Sequence, residues 1–133
     1  MVVMTHRDIA AADMEWRDGS GAGIKFASFR TDESRADSPY IVISEFAAGT
    51  IVQPHTHDSN YFEYVIAGEQ IVGKTRFGPG DVRLVQGGTG YGPIHVGPEG
   101  CRVLIVFENA LGAATETLPR KKKALAGGPV SAQ

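Results

Sequence analysis

The sequence predicts an all-β sandwich or barrel, and two observations lead to that fold class. Short apolar segments recur along the 133 residues and are separated by turn signals about every ten residues. The composition supplies the turns, with 17 glycines and 7 prolines. No apolar pattern with helical spacing is long enough to suggest the crossover helices of a parallel α/β sheet. The chain length is that of a single domain.

Segments rich in apolar and β-branched residues are predicted as strands. Residues 24–30 alternate imperfectly, and residues 40–46 are apolar nearly throughout, which suits a strand buried on both faces. A histidine-containing strand is predicted at residues 50–55, and residues 101–108 give the clearest strand pattern of the chain. The remaining predicted strands are residues 61–66, 70–72, 74–77, 82–85 and 94–96.

Glycine, proline, asparagine and aspartate mark the predicted turns between these strands. Residues 31–39 are polar and predict a surface loop, whereas residues 86–92 contain four glycines and predict irregular backbone. One helical turn is predicted around residues 9–12, with an edge strand as the alternative, and another within residues 111–119. The predicted tight turns are residues 18–23, 47–49, 57–60, 67–69, 78–81 and 97–100.

The charge and the cysteine content narrow the class of protein. A net charge of −2 gives no reason to expect nucleic acid or an anionic membrane as a partner. The single cysteine, Cys101, excludes an internal disulfide, is expected to be buried, and fits a reducing cytoplasm. The N-terminus carries no long apolar stretch, so neither a signal peptide nor a transmembrane helix is expected.

The domain is expected to span residues 1–119. Residues 120–133 are interpreted as a poorly ordered tail, because they combine a basic run with glycine and proline. The basic run at residues 120–123 is interpreted as a solvated terminal segment, with a nucleic-acid patch as the alternative. The tail is therefore left out of the predicted core.

Two histidines, His55 and His57, stand one residue apart in the segment GTIVQPHTHDSNYFEYVIAG, which covers residues 49–68. Successive side chains of a strand point to opposite faces, so residues two apart point the same way. Both imidazoles are therefore expected to leave one side of the strand together. Neutral imidazole is a common ligand of transition metals, so the pair predicts half of a metal site. An ordinary pair of hydrogen-bonded histidines is the alternative.

This segment resembles the first conserved motif of the cupin superfamily. Gly49, His55, His57 and Gly68 match its opening glycine, its paired histidines and its closing glycine. The Gly-Pro-Gly-Asp turn at residues 78–81 resembles the turn that usually precedes the second motif. The resemblance covers roughly residues 40–108. It implies a small antiparallel double-stranded β-helix, or jelly roll, with a pocket between its two sheets.

Two positions depart from the family pattern. Tyr61 stands where the family places its ligand glutamate, and Tyr91 stands where it places its third histidine. The nearest substitutes are Glu63, two residues past Tyr61, and His95, four residues past Tyr91. His95 shares a face with Tyr91 if the strand is continuous, and the Gly-Pro step between them can bend the strand and shorten the distance.

The metal ligands implied by the resemblance are His55, His57 and His95. The catalytic pocket residues that it implies are Tyr61, Glu63 and Tyr91. Iron is the expected divalent metal, zinc and nickel fit the same imidazoles, and a site without metal is the alternative. The implied reaction is the dioxygenation of a small diketone, hydroxy-ketone or aromatic compound.

Two further functions remain open. Tyr61 and Tyr91 can simply fill the barrel, which predicts a metal-free cupin that binds a small molecule. A histidine base and a tyrosine acid can instead serve an isomerase or epimerase. The expected partners are a small-molecule ligand and, by resemblance, a second copy of the chain, with Trp16 and the N-terminal strand as candidate contacts.

Overall fold

A computed structural model describes residues 6–118 of the chain and shows an almost entirely β structure. Two single 3₁₀ turns, Ala11–Asp13 and Ala110–Gly112, flank the strands. The strands are β1 (Arg17–Asp18), β2 (Ile24–Arg30), β3 (Tyr40–Phe46), β4 (Ile51–Val52), β5 (His55–Thr56), β6 (Tyr61–Val72), β7 (Thr75–Phe77), β8 (Val82–Val85), β9 (Ile94–Phe107) and β10 (Glu116–Thr117).

All strand pairs are antiparallel. The larger sheet has the order β1-β2-β3-β9-β6-β7, with β4 paired to β9 and β8 paired to β6. Strands β5 and β10 form a separate two-stranded sheet. The two long strands β6 and β9 change partners along their length, which carries the sheet around the core as a jelly roll. The predicted all-β fold class is confirmed.

The long strands correct two predicted turns. Residues 67–69 and 97–100 do not turn the chain but lie inside β6 and β9. The ladder between these strands shifts register between Val65 and Ala67 and again between Gly68 and Gln70. Gly68 has φ +75°, and a Cβ on it would overlap the backbone of Gly100. The glycines therefore serve a bulged crossing of two long strands, where they allow close backbone approach.

The predicted histidine strand at residues 50–55 is also corrected. It consists of two short strands, β4 and β5, separated by Gln53 and Pro54. Proline has no backbone N–H to donate to a ladder, so it ends β4 and lets β5 pair elsewhere. His55 pairs with Tyr91 through an isolated bridge instead of continuing along β9. This switch of partner places the histidines against the segment that follows β8.

The core divides into two clusters on the inner face of the sheet. The larger cluster comprises Val42, Tyr61, Tyr91, Ile94, Phe107 and Ala113. The smaller cluster comprises Val65, Val96, Cys101 and Val103. Cys101 is buried, as expected. The interior therefore combines these apolar clusters with buried polar side chains, among them His55, His57, Glu63 and Gln70.

The N-terminal segment stays close to its own sheet. Trp16 lies half-buried before β1, and the Arg102 guanidinium sits 5.7 Å from the centroid of its ring. Arg7 pairs with Glu33 at 3.0 Å, at the surface. The predicted tail at residues 120–133 lies outside the described residues. Among the described residues, no helix has the length and apolar character needed to cross a bilayer.

Candidate functional site

The jelly roll encloses a cavity of about 530 Å³. Most of its wall is apolar and comes from β2, β3 and β9, with Phe26, Val42 and Ile105 among the lining residues. Its polar lining includes His55, His57, Glu63, Gln70 and Tyr91. Four of the residues predicted for the site thus meet in one cavity.

His55 is held at both its backbone and its ring. Its backbone N–H donates to the Tyr91 carbonyl at 3.0 Å and its own carbonyl accepts from the Tyr91 N–H at 3.1 Å. Its ring Nδ1 lies 2.8 Å from the Gln53 carbonyl oxygen. A carbonyl can only accept, so Nδ1 carries the proton and Nε2 keeps a lone pair. The local turn through Pro54 therefore fixes the tautomer as well as the position.

His57 has the same tautomer for the same reason. Its Nδ1 lies 2.9 Å from the Ala113 carbonyl oxygen and 3.3 Å from that of Ala114. These carbonyls follow the 3₁₀ turn Ala110–Gly112, which is itself capped by the Asn109 side chain accepting from Leu111 N–H. The segment after β9 thus orients His57 across the cavity.

The Nε2 atom of each ring makes no hydrogen bond to the described residues and is available as an acceptor. Every fully buried side-chain nitrogen and oxygen of the described residues has a partner, so neither Nε2 is fully buried. The two rings are nearly perpendicular, with centroids 5.2 Å apart. Burial lowers the pKa of His57 to about 4, and burial also lowers the pKa of His55. Both imidazoles are therefore neutral at pH 7.

Tyr61 and Tyr91 pack against the two histidines, and Tyr91 also lines the cavity. Their hydroxyl groups are hydrogen-bonded to each other. Tyr91 packs edge-on against His55, with ring centroids 4.8 Å apart, and Tyr61 packs edge-on against His57 at 5.2 Å. Burial, and for Tyr61 the neighbouring phenol, raise the pKa of both hydroxyl groups, so both stay protonated. The four rings form one neutral cluster.

Glu63 is tied into a buried network next to the tyrosines. Its Oε1 accepts from Arg83 at 2.7 Å and its Oε2 accepts from Gln70 at 2.5 Å. The Arg83 guanidinium lies 4.5 Å from the centroid of the Tyr91 ring. The carboxylate and guanidinium are both nearly fully buried and neutralise each other. Both oxygens of Glu63 are therefore engaged within the protein.

Arg83 and Gln70 are site residues that the sequence did not single out. Arg83 lies directly across from Glu63 in the β6–β8 pairing, so both point to the same face. The available signal was a charged residue at the centre of an apolar strand, Val-Arg-Leu-Val, opposite a glutamate in a strand rich in aromatics. Register between two strands is needed to pair them, and the sequence does not give it.

His95 is not brought to this cluster. It is exposed on β9, where it pairs with Ile51 and Ile71, while its neighbours Ile94 and Val96 are buried. The prediction assumed one strand from Tyr91 to His95, but β9 begins only at Ile94. Strand alternation then puts Ile94 inside and His95 outside. The structure therefore brings together His55, His57, Glu63, Tyr61 and Tyr91 only.

A family model described as the ChrR cupin-like domain matches residues 5–111 of the chain. The chain belongs to this cupin family. No protein of curated function matches it by sequence. The cupin fold also agrees with solved structures, although identities near 20% show the fold alone.

Three solved structures illustrate that agreement. The polyketide cyclase RemF from Streptomyces resistomycificus superposes with a TM-score of 0.70 at 16% identity, over 89% of each chain. Oxalate decarboxylase from Bacillus subtilis superposes with a TM-score of 0.71 at 20% identity, over 89% of this chain and 33% of that one. The anti-sigma factor ChrR, in complex with SigE from Rhodobacter sphaeroides, superposes with a TM-score of 0.61 at 21% identity, over 74% of this chain and 51% of that one. The chain spans about a third of the oxalate decarboxylase length.

The donor set of this cupin does not match a metal centre with three or four protein ligands. His55 and His57 have the orientation of metal ligands, since each donates Nδ1–H to a backbone carbonyl and leaves Nε2 free. The oxygens of Glu63 are engaged, and His95 is exposed. In the described part of the chain, no three histidine, cysteine, aspartate or glutamate side chains converge on one point. The predicted ligand set of His55, His57 and His95 is therefore not assembled in the described residues.

Proposed function

We propose that this cupin binds a small, neutral, largely apolar compound through two hydroxyl groups that it presents to His55 and His57. The compound classes that fit are dihydroxylated aromatics and the enol forms of diketones or hydroxy-ketones. The observation that carries the proposal is the pair of neutral imidazoles that line the cavity and whose Nε2 atoms have no hydrogen-bond partner among the described residues.

Two acceptors call for two donors. Each Nε2 lone pair gains a hydrogen bond within the cavity only from an O–H or N–H of the ligand, since no described residue donates to it. The imidazole centroids lie 5.2 Å apart. Hydroxyl groups on neighbouring ring or chain carbons reach both acceptors at once. A ligand with ether oxygens instead of these hydroxyl groups would place an acceptor next to each Nε2 and could donate no hydrogen bond to it.

Away from the two histidines, the cavity lining favours a ligand with an uncharged skeleton. The apolar wall favours an aromatic or alkyl skeleton. Glu63, the buried carboxylate of the lining, is neutralised by its ion pair with Arg83, and the lining cation Arg30 is exposed to solvent. A free carboxylate or phosphate next to the histidines would lose its hydration there without a free buried cation, since Arg83 is already paired with Glu63.

Calorimetry with catechol and with its dimethyl ether tests this proposal. We expect catechol to bind and the ether to bind at least about tenfold more weakly, since two hydrogen bonds of roughly 1 kcal/mol each are lost. A His55→Ala/His57→Ala double variant should lose the preference, and His95→Ala, which removes the exposed histidine, should keep it. Equal affinities for both compounds, or no binding of catechol, would reject the proposal.

Iron-dependent dioxygenation of the same compound class is the second candidate function. The orientation of the two imidazoles favours it, because Nε2 is the atom that a metal would use. A mononuclear oxygenase centre needs at least one more protein ligand, and the described residues supply none of the usual types. It therefore ranks second, with zinc or nickel as alternative ions.

A histidine–tyrosine isomerase is less well supported. A base in that role takes a full proton, and burial lowers the pKa of both histidines, which opposes the imidazolium form. Residence in the cytoplasm stays a prediction from the single cysteine.

A further inference from the structure

The cavity extends well beyond the two histidines. Its volume of about 530 Å³ is that of a pocket for a drug-sized ligand, whereas a single ring with two hydroxyl groups occupies only a small part of it. His57 packs against Phe107, with ring centroids 4.9 Å apart. Val103, four residues earlier on β9, lines the cavity about 13 Å away along the strand. A ligand held at the histidines therefore leaves the part around Val103 to another portion of its own skeleton.

Ser44 lies in this distal part of the cavity. It is opposite Val103 in the pairing of β3 with β9 and opposite Phe26 in the pairing of β3 with β2, and all three residues line the cavity. Val42 and Ile105, which pair with each other two residues further along the same ladder, line the stretch towards the histidines. On the side of β3 and β9, the path from the histidines to Ser44 is therefore walled by apolar side chains.

The hydroxyl group of Ser44 has no partner in the protein. Ser44 is 7% exposed, and its side chain makes no hydrogen bond with the described residues, unlike the other buried polar residues that line the cavity. Every fully buried side-chain oxygen of the described residues has a partner, so this hydroxyl is not fully buried and is reached from the cavity. A ligand oxygen at this position gains a hydrogen bond, since a serine hydroxyl both donates and accepts.

We propose that Ser44 selects an elongated ligand whose distal end carries an uncharged oxygen, a hydroxyl or a carbonyl, hydrogen-bonded to the Ser44 hydroxyl. This inference rests on the proposed function, in which the other end of the ligand presents two hydroxyl groups to His55 and His57. An apolar chain or ring joins the two ends, because the wall between them is apolar.

The charges of the cavity lining explain why the distal oxygen is uncharged. Among the described residues, the charged side chains of the lining are those of Arg30 and Glu63. Arg30 lies in the same row of the sheet as Phe107, and Glu63 pairs with Ile105, so both are on the histidine side of Ser44. A carboxylate or an ammonium group at the distal end would therefore be buried without a counter-charge.

Calorimetry with catechol, 4-heptylcatechol and 4-(6-hydroxyhexyl)catechol tests the length of the ligand. The two long compounds have the same number of heavy atoms and differ only in a terminal methyl or hydroxyl group. We expect 4-heptylcatechol to bind at least about tenfold more tightly than catechol, because its chain is buried in the apolar part of the cavity. In Ser44→Leu, whose larger side chain fills the distal part, this advantage of the long chain over catechol should disappear.

The Ser44→Ala variant isolates the distal hydrogen bond. It should weaken the binding of 4-(6-hydroxyhexyl)catechol about fivefold relative to that of 4-heptylcatechol, since one hydrogen bond is lost. Ser28→Ala is the matched control, because Ser28 lies on β2, faces the same side as Phe26 and is not part of the cavity lining. It should leave the relative affinities of the three compounds as they are in the wild type.

The outcomes separate this inference from the proposed function. If catechol binds through His55 and His57 but the long compounds bind no more tightly, or if Ser44→Ala changes both long compounds equally, the inference is overturned and the proposed function stands. If catechol fails to bind but the hydroxyl-terminated compound binds and depends on Ser44, the histidine contact is rejected and the distal contact stands. If none of the three compounds binds, both are overturned.

Discussion

Backbone carbonyl groups determine what His55 and His57 can do. Each ring donates its Nδ1–H to a main-chain acceptor, and each is buried among apolar and aromatic groups that disfavour a charge. The result is a pair of neutral acceptors at a position where the family pattern leads to a metal. Tyr61 and Tyr91 stay protonated beside them, so the whole ring cluster is uncharged at pH 7.

The buried histidines predict a loss of stability in mild acid. The folded pKa of His57 is about 4, below its ordinary value of 6.5, so the unfolded chain binds more protons between these values. This contribution to the free energy of unfolding should therefore be complete above pH 6.5 and should decrease as the pH falls towards 4. His57 contributes up to about 3 kcal/mol of this loss, and His55 acts in the same direction.

Urea unfolding of the wild type and of His57→Gln between pH 7 and pH 4.5 measures this effect. The variant should lose a large part of the slope, because glutamine does not titrate in this range. His95→Gln removes an exposed histidine and should keep the wild-type slope. Identical slopes for the wild type and His57→Gln would show that His57 is not held neutral.

At the scale of strands, the crossing of β6 and β9 sets the shape of the site. The inward residues Tyr61, Glu63 and Gln70 come from β6 on both sides of the bulges. Gln70 can reach Glu63 only because β6 continues through residues 67–69 instead of turning there. The network around Arg83 therefore depends on Gly68 and Gly100.

We expect the replacement of Gly68 at this crossing to cause a large and specific loss of stability. Gly68→Ala requires a side chain at φ +75° and overlap with the Gly100 backbone. Gly73→Ala is the matched control, since Gly73 has φ +63° with nothing within 4 Å of its Cβ position. Both variants bear the cost of the left-handed backbone, roughly 1 kcal/mol. Gly68→Ala should lose at least about 2 kcal/mol more in urea unfolding, and equal losses would contradict the account of the crossing.

The local pattern of apolar and polar residues predicts where strands lie, but not whether a strand continues through a glycine or a proline. Residues 24–30, 40–46 and 82–85 were predicted with the bounds that the structure shows. The errors occur at glycine and proline inside β6 and β9, because the same residues serve turns and bulges. His95 was misplaced for a related reason, since the start of β9 decides which of its residues face inward. That His55 and His57 point to the same face follows from the two-residue period of a strand alone. Placing Arg83 beside Glu63 requires the register between β6 and β8 as well.

At the scale of the molecule, this chain has the cupin fold but its own set of donor side chains in the cavity. The fold is shown by the family match and by solved structures of near-complete overlap. The donor set is this chain's own, with tyrosines in place of two family ligands and a closed Arg83–Glu63 ion pair beside them.

The central claim is that His55 and His57 accept hydrogen bonds from a ligand and do not belong to a metal centre with three protein ligands. Metal analysis by mass spectrometry tests it most directly, on protein as purified and after incubation with Fe(II), Zn(II) or Ni(II) and desalting. We predict far less than one metal per chain, with catechol binding unchanged by a chelator. One retained metal per chain, lost in His55→Ala/His57→Ala but kept in His95→Ala, would contradict the account.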